Sequence, residues 1–137
     1  MYTLRSWPPN NWYISVDIKN VPSGTLPSVC PLAHFTGGSI RIPVIMLNPN
    51  GKFYVQSLLN GNKNGFVFNA QLSSTNYTTL RVEHALQDDN LYYYKVFMNG
   101  VLKGIKQNAD IRSFENAKVR SANCPFPTKN LDWGRLS

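Results

Sequence analysis

Tyr92-Tyr93-Tyr94-Lys95-Val96-Phe97-Met98-Asn99-Gly100-Val101-Leu102-Lys103-Gly104-Ile105 decides the fold class of this chain. It reads as two β-rich runs joined by the two-residue turn Asn99-Gly100. A tight hairpin of this kind needs positive φ at both turn residues, and Asn-Gly supplies it at the lowest steric cost. Three tyrosines in a row put rings on both faces of the first strand. One ring is expected in the core, and Tyr93 is available for stacking on a sugar or a partner chain.

The same grammar runs in both directions from the hairpin. Trp12-Tyr13-Ile14-Ser15-Val16-Asp17-Ile18-Lys19 alternates apolar and polar residues, the mark of a half-buried strand. Residues 20–31 read as loop. Leu32 to Thr36 is a short strand stopped by Gly37-Gly38. Ile40 to Leu47 is apolar but contains Pro43, so it is an edge strand or a bulged one. Lys52 to Leu59 and Phe66 to Phe68 are strands, with Asn60-Gly61-Asn62-Lys63-Asn64-Gly65 as a turn between them. Thr78 to Ala85 alternates with Leu80, Val82 and His84 on one face. Ala117 to Ser121 and Leu131 to Leu136 complete the set. No stretch supports a helix of ten residues. The expectation is an all-β, two-sheet antiparallel sandwich of one domain over residues 1–137, with 1–11 as an N-terminal extension.

Composition bounds the function. Apolar residues make up 42% of the 137, and there are seven Tyr, seven Phe and three Trp. The net charge is +7, and eight of the fourteen Lys and Arg fall from Lys95 onward, placed singly. Scattered cations speak to solubility or to an anionic partner. Without a Lys or Arg run they argue against nucleic acid as that partner. No apolar stretch reaches membrane-spanning length. Two cysteines, Cys30 and Cys124, and two histidines are too few for a structural zinc site. The cysteines are either a long-range disulfide of a secreted protein or two small buried hydrophobes. No nucleophile elbow, P-loop or HExxH occurs, and Glu83 and Glu115 each stand alone in their strands, whereas retaining glycosidases need a carboxylate pair. No catalytic residue, metal or cofactor is expected. Asn76-Tyr77-Thr78 is an N-glycosylation sequon, meaningful only in a secreted eukaryotic protein.

The order of the motifs resembles the concanavalin-A-like (laminin-G-like) jelly-roll domains of extracellular invertebrate matrix and adhesion proteins. The resemblance is carried by Trp12 to Lys19, by Phe35-Thr36-Gly37-Gly38, and by Arg41-Ile42-Pro43-Val44-Ile45 with Pro49. It continues through Phe53 to Asn64 with its Leu59-Asn60-Gly61-Asn62-Lys63-Asn64 ending, Asn76 to Val82, the Asn99-Gly100 hairpin, and Arg112-Ser113-Phe114-Glu115-Asn116-Ala117-Lys118-Val119-Arg120-Ser121. It covers most of residues 12–136. Two loops depart from the family pattern by losing acidic groups: Gly38-Ser39-Ile40 leads straight into Arg41, and Asn123-Cys124-Pro125-Phe126-Pro127 replaces an acidic loop. A calcium site built from loop carboxylates is therefore not expected.

The resemblance implies a non-enzymatic, extracellular binding or adhesion module with a glycan or matrix ligand. The other reading is a structural subunit that uses the sandwich for protein–protein assembly, including homo-oligomers. Early and late jelly-roll strands are commonly neighbours, so a Cys30–Cys124 bridge is expected. Candidate ligand residues are Asn60, Asn62 and Asn64 for sugar hydroxyls, Tyr93 for stacking, and Lys103, Lys118 and Arg120 as a basic patch for a sulfated or carboxylated glycan. That patch requires the hairpin and the strand at Ala117 to share a surface, with Lys95 and Lys103 close across the ladder.

Overall fold

The computed structural model describes residues 2–19, 30–73, 75–121 and 128–136. Among these described residues eleven strands form two antiparallel sheets. In chain order they are β1 (Tyr2–Trp7), β2 (Trp12–Ile18), β3 (Cys30–Gly37), β4 (Ile40–Leu47), β5 (Lys52–Leu59), β6 (Asn62–Gln71), β7 (Thr78–Leu86), β8 (Tyr92–Met98), β9 (Val101–Asn108), β10 (Phe114–Ser121) and β11 (Thr128–Arg135). The six-stranded sheet runs β1-β10-β3-β4-β5-β6. The five-stranded sheet runs β11-β2-β7-β8-β9. Among the described residues no helix is long and apolar enough to cross a membrane.

The inward faces build the core. Trp12, Ile14, Val16, Val55, Leu80, Val82, Val96 and Val119, all expected inside from their alternation, are each no more than 2% exposed. Aromatic contacts knit the two layers: Trp7 lies 5.0 Å from Phe35 and 5.7 Å from Trp12, and Phe35 meets Trp133 edge-on at 5.5 Å. Such tilted and edge-on pairs add to the stabilisation from burial alone. Asn99 and Gly100 take φ values of 51° and 80°, as a primed hairpin turn demands. The tip is also fastened sideways, because the Asn99 Oδ1 accepts the Thr79 N–H at 2.9 Å.

The structure corrects several boundaries. Residues 1–11 are not a mere extension: Tyr2–Trp7 pairs with β10 from Tyr2↔Val119 to Trp7↔Phe114. The strand was hidden because it is short and Pro8-Pro9 follows it. The turn expected over Asn60–Gly65 is only Asn60-Gly61, with φ of 49° and 82°, and β6 begins at Asn62. β11 begins at Thr128 rather than Leu131. Pro43 lies in an interior strand, and the irregularity takes the form of a register shift between His34 and Thr36 on the β3–β4 ladder. Cys124 lies outside the described residues, as does the Cys30 side chain, so the expected bridge falls outside them too.

Val96 is fully buried on β8 between β7 and β9. Val96→Asp is expected to unfold the domain, since an unpaired buried carboxylate costs several kcal/mol. A cooperative urea transition with an unchanged midpoint would show the face assignment to be wrong.

Candidate functional site

Two places gather polar side chains: one end of the sandwich, and the outer face of the six-stranded sheet. At the end, Asn108 closes β9 and is buried. Its amide has two donor hydrogens and two acceptor sites, and all four are used. The Nδ2 group donates to His84 Nε2 at 3.1 Å and to the Asp110 carbonyl at 3.1 Å. The Oδ1 accepts the N–H groups of Asn60 and Asp110, both at 3.1 Å. Because His84 Nε2 accepts, its proton sits on Nδ1, which donates to the Asn10 carbonyl at 2.9 Å. The imidazole is 4% exposed and stacked between Trp12 and Tyr92. Burial holds its pKa below the ordinary histidine value, opposed by the Asn10 hydrogen bond.

The β5–β6 turn is bound into the same end. Asn60 Oδ1 accepts the Ala109 N–H at 2.7 Å, and the Gly61 N–H reaches Asp110 at 2.9 Å. Asp110 also takes a two-pronged hydrogen bond from Arg112, which keeps its carboxyl below the usual range. Deeper in, Tyr94 donates to the Leu58 carbonyl at 2.6 Å, so Ser57 must donate to the Tyr94 hydroxyl at 2.9 Å. The residues around this end enclose room for about one water molecule. It is a structural latch between the two sheets.

The outer face of the six-stranded sheet is different. Ala33 and Phe35 point inward on β3, so His34 points out. Its register partners share its face: Arg120 on β10 and Val44 on β4, then Gln56 on β5 and Val67 on β6. In the adjoining row Lys118, Thr36 and Arg41 lie side by side. Arg41 Nη1 donates to Gln56 Oε1 at 2.5 Å, from β4 to β5. Val44, the register partner of Gln56, is only 1% exposed although it faces outward. Met46 and Tyr54 form the next row, with the Tyr54 hydroxyl 3.5 Å from the Met46 sulfur. Burial, then Arg41, then Arg120 hold the His34 pKa below the ordinary value. The six strands carry six cations and one acid, Glu115; the other five strands carry six cations and three acids.

The residues expected to bind ligand are dispersed. Asn60 is committed to the latch. Asn62 Oδ1 accepts the Asn64 N–H at 3.0 Å, and Asn64 is exposed at the start of β6. Tyr93 lies on the outer face of the five-stranded sheet and donates to Asp89 at 2.6 Å. Lys118 and Arg120 are on β10 of one sheet and Lys103 on β9 of the other, so the expected patch does not assemble. Nor is Lys103 opposite Lys95. Lys95 pairs with Ile105, and Lys103 is the extra residue where the ladder shifts between Val96↔Gly104 and Phe97↔Leu102. Asn76 is exposed on the β6–β7 connection. His34 and Arg41 were missed as ligand candidates. Their signal was present, a histidine and an arginine on alternating strands, but only the register shows them to be neighbours. Among the described residues no group of three His, Cys, Asp or Glu side chains could hold a metal ion.

No protein-family model matches the sequence, and no curated protein is similar to it. The likeness to known proteins is structural. The receptor-binding domain of botulinum neurotoxin D superposes with a TM-score of 0.65 at 14% identity, over 98% of this chain and 36% of that one. CBM40 of the Ruminococcus gnavus IT-sialidase, bound to α2,3 sialyllactose, gives 0.58 at 12% identity, over 93% and 78%. The endo-β-1,4-glucuronan lyase of the fungus Trichoderma reesei gives 0.57 at 12% identity, over 89% and 58%. At such identities the shared property is the fold, a β-sandwich found in receptor-binding and carbohydrate-binding domains. The chain spans about a third of the length of the neurotoxin chain.

Two outcomes test the latch. Asn108→Ala strands buried donors and acceptors on both sheets and is expected to cost about 3 kcal/mol in urea unfolding. The depressed pKa of His84 also has a sign. As pH falls, the unfolded chain takes up its proton first, so the stabilisation is full above the ordinary histidine value and is lost as pH drops below it. From about pH 7.5 to about pH 5.5, which lies above the ordinary carboxylate range, the urea midpoint is expected to fall. The fall should be smaller in His84→Gln, with the remainder due to His34. An identical slope in the variant would remove His84 from the account.

Proposed function

We propose that the protein is a non-enzymatic glycan-binding module of the extracellular lectin type, and that the outer face of the six-stranded sheet is its ligand face. The observation that carries this reading is the Arg41–Gln56 pair, beside the buried, outward-facing Val44 that is the register partner of Gln56. Sugar hydroxyls are recognised by planar, fixed donors and acceptors, and rigid strands place such groups better than loops do. Arg41, Gln56 and His34 present this kind of group from three adjacent strands, with the Tyr54 ring one row away as an apolar surface. The sandwich fold shared with a domain bound to sialyllactose supports the reading. An exposed sequon at Asn76 is consistent with a secreted protein.

A structural subunit is the second reading, and one observation favours it. Val67 on β6 and Val101, Leu102 and Ile105 on β9 are 44–55% exposed along two sheet edges. Edge strands with apolar side chains are natural templates for pairing with another chain.

A glycan array read together with light scattering separates the two. The lectin reading expects ligand-specific signal from a monomer, abolished by Gln56→Ala without a change in melting temperature. Uniformly absent signal with large particles in solution would favour the subunit and overturn the lectin.

A further inference from the structure

Among the described residues, one side of the sandwich ends in two unpaired edges, β6 of the six-stranded sheet and β9 of the five-stranded sheet. Between them lies a groove of about 210 Å³, walled by Phe66 and Phe68 of β6 and by Gly104 and Lys106 of β9. That is below the roughly 300–1,000 Å³ of a small-molecule site and suits an inserted side chain instead. Gly104 and Lys106 pair with the buried Val96 and Tyr94, so both face the interior side of their sheet. Gly104 leaves room for the Phe68 ring, because a Cβ there would lie 2.8 Å from Phe68 Cδ2. The interior side is nonetheless uncovered at this edge, since Lys106 is exposed. Val101, Leu102 and Ile105 of the same strand are 44–55% exposed. Alternate backbone groups of an edge strand point away from its neighbour and are open to a further strand.

Charge decides which strand fits. β6 and β9 carry Lys63, Lys103 and Lys106 and no acid. Lys63 donates to Ser39, whereas Lys103 and Lys106 are exposed and make no ion pair among the described residues. Asp110, just beyond β9, is held by Arg112. A second copy of this chain laid on the β9 edge would set lysines against lysines, and like charges across a ladder are destabilising. The bulge at Lys103 adds to this protection against self-pairing. We infer that the β9 edge is a docking site for an extended, acidic and apolar segment of another protein, which adds to the five-stranded sheet as a further strand. The period of two sets its pattern: an apolar side chain opposite Gly104 enters the groove beside Phe68, and a carboxylate two residues away meets Lys106. The site does not depend on the glycan reading, whose face is on the other sheet. It goes beyond the subunit reading by naming the edge and the chemistry of the strand that it takes.

The test uses the intact chain and two blocked peptides: acetyl-Thr-Glu-Val-Ile-Glu-Val-Thr-amide, and the same peptide with Lys in place of both Glu. Calorimetric titration is expected to show the acidic peptide binding at least about fivefold more tightly than the basic one. The double variant Lys103→Glu/Lys106→Glu, changed only at exposed positions, should reverse that preference. Arg135→Glu, an exposed charge reversal on β11 at the opposite edge of the same sheet, should leave it unchanged and so separates the edge from net charge. Amide hydrogen exchange is the second readout. Saturating acidic peptide should slow exchange of β9 amides by at least about tenfold, because strand addition gives the open N–H groups partners. Equal affinity for the two peptides, no binding of either, or a preference that survives in the double variant overturns the proposal. So does protection of β9 that grows with protein concentration in the absence of peptide while light scattering reports a dimer, since the occupant would then be a second copy of this chain. None of these results touches the glycan array, so the glycan reading stands or falls separately.

Discussion

The closure of the sandwich depends on one buried amide. Asn108 belongs to the five-stranded sheet, yet it holds the Asn60 backbone of the six-stranded sheet, the His84 ring and the loop that leads into β10. A buried amide with a missing partner costs as much as a good hydrogen bond provides. The arrangement is therefore close to all-or-none: the turn at Asn60-Gly61, the Nδ1–H tautomer of His84 and the path of residues 108–112 must all be correct together. Tyr94 extends the same logic into the core, where its hydroxyl spends its one proton on Leu58 and accepts from Ser57. Apolar burial is non-directional and would tolerate sliding of one sheet over the other. These directional bonds fix the offset.

Fixing one end with polar groups has consequences for where charge is left. The chain has seven acids, and six of them are in the five-stranded sheet or in loops. There they stitch neighbouring side chains together, as in Asp17 with Thr79 and Asn130, and Tyr13 with Asp132. Arg81 adds a cation–π contact to Tyr13 at 4.4 Å while paired with Glu83, and Lys129 lies 4.1 Å from the Tyr77 ring centre. The outer surface of the five-stranded sheet is in this way largely satisfied by itself. The six-stranded sheet holds one acid, Glu115, beside its six cations. The two faces of one small sandwich thus differ because a limited number of carboxylates was distributed unevenly.

Much of the fold was legible from the sequence because side-chain alternation has a period of two and the turns are marked by Asn-Gly. Trp12 to Ile18, Thr78 to Leu86 and the Tyr92–Asn108 hairpin were read nearly to their ends. What alternation cannot report is which sheet a strand joins. Lys118 and Lys103 lie fifteen residues apart in sequence and form one patch only on a shared surface, yet the chain crosses from β9 in one sheet to β10 in the other between them. A single extra residue at Lys103 also cancelled its pairing with Lys95, since one inserted residue shifts every later partner. β1 was missed because a strand of six residues before a Pro-Pro pair gives too short a pattern to weigh.

The candidate site was less legible than the fold for the same reason. Its residues, His34, Arg41, Gln56 and Arg120, come from four strands, and no two of them form a local motif. In the Asn60–Asn64 segment the local pattern pointed to a ligand, but Asn60 is spent on backbone groups, as asparagine in turns usually is. A polar residue in a tight turn has a structural demand to meet first. A polar residue at mid-strand on an outer face has none, because the ladder already satisfies the backbone. The Arg41–Gln56 bond sharpens this contrast: these outward side chains are held to each other before any ligand arrives. Such preorganisation lowers the entropy cost of recognition, and it makes the middle of the six-stranded sheet, rather than the Asn-rich turn, the part of the surface best suited to recognition.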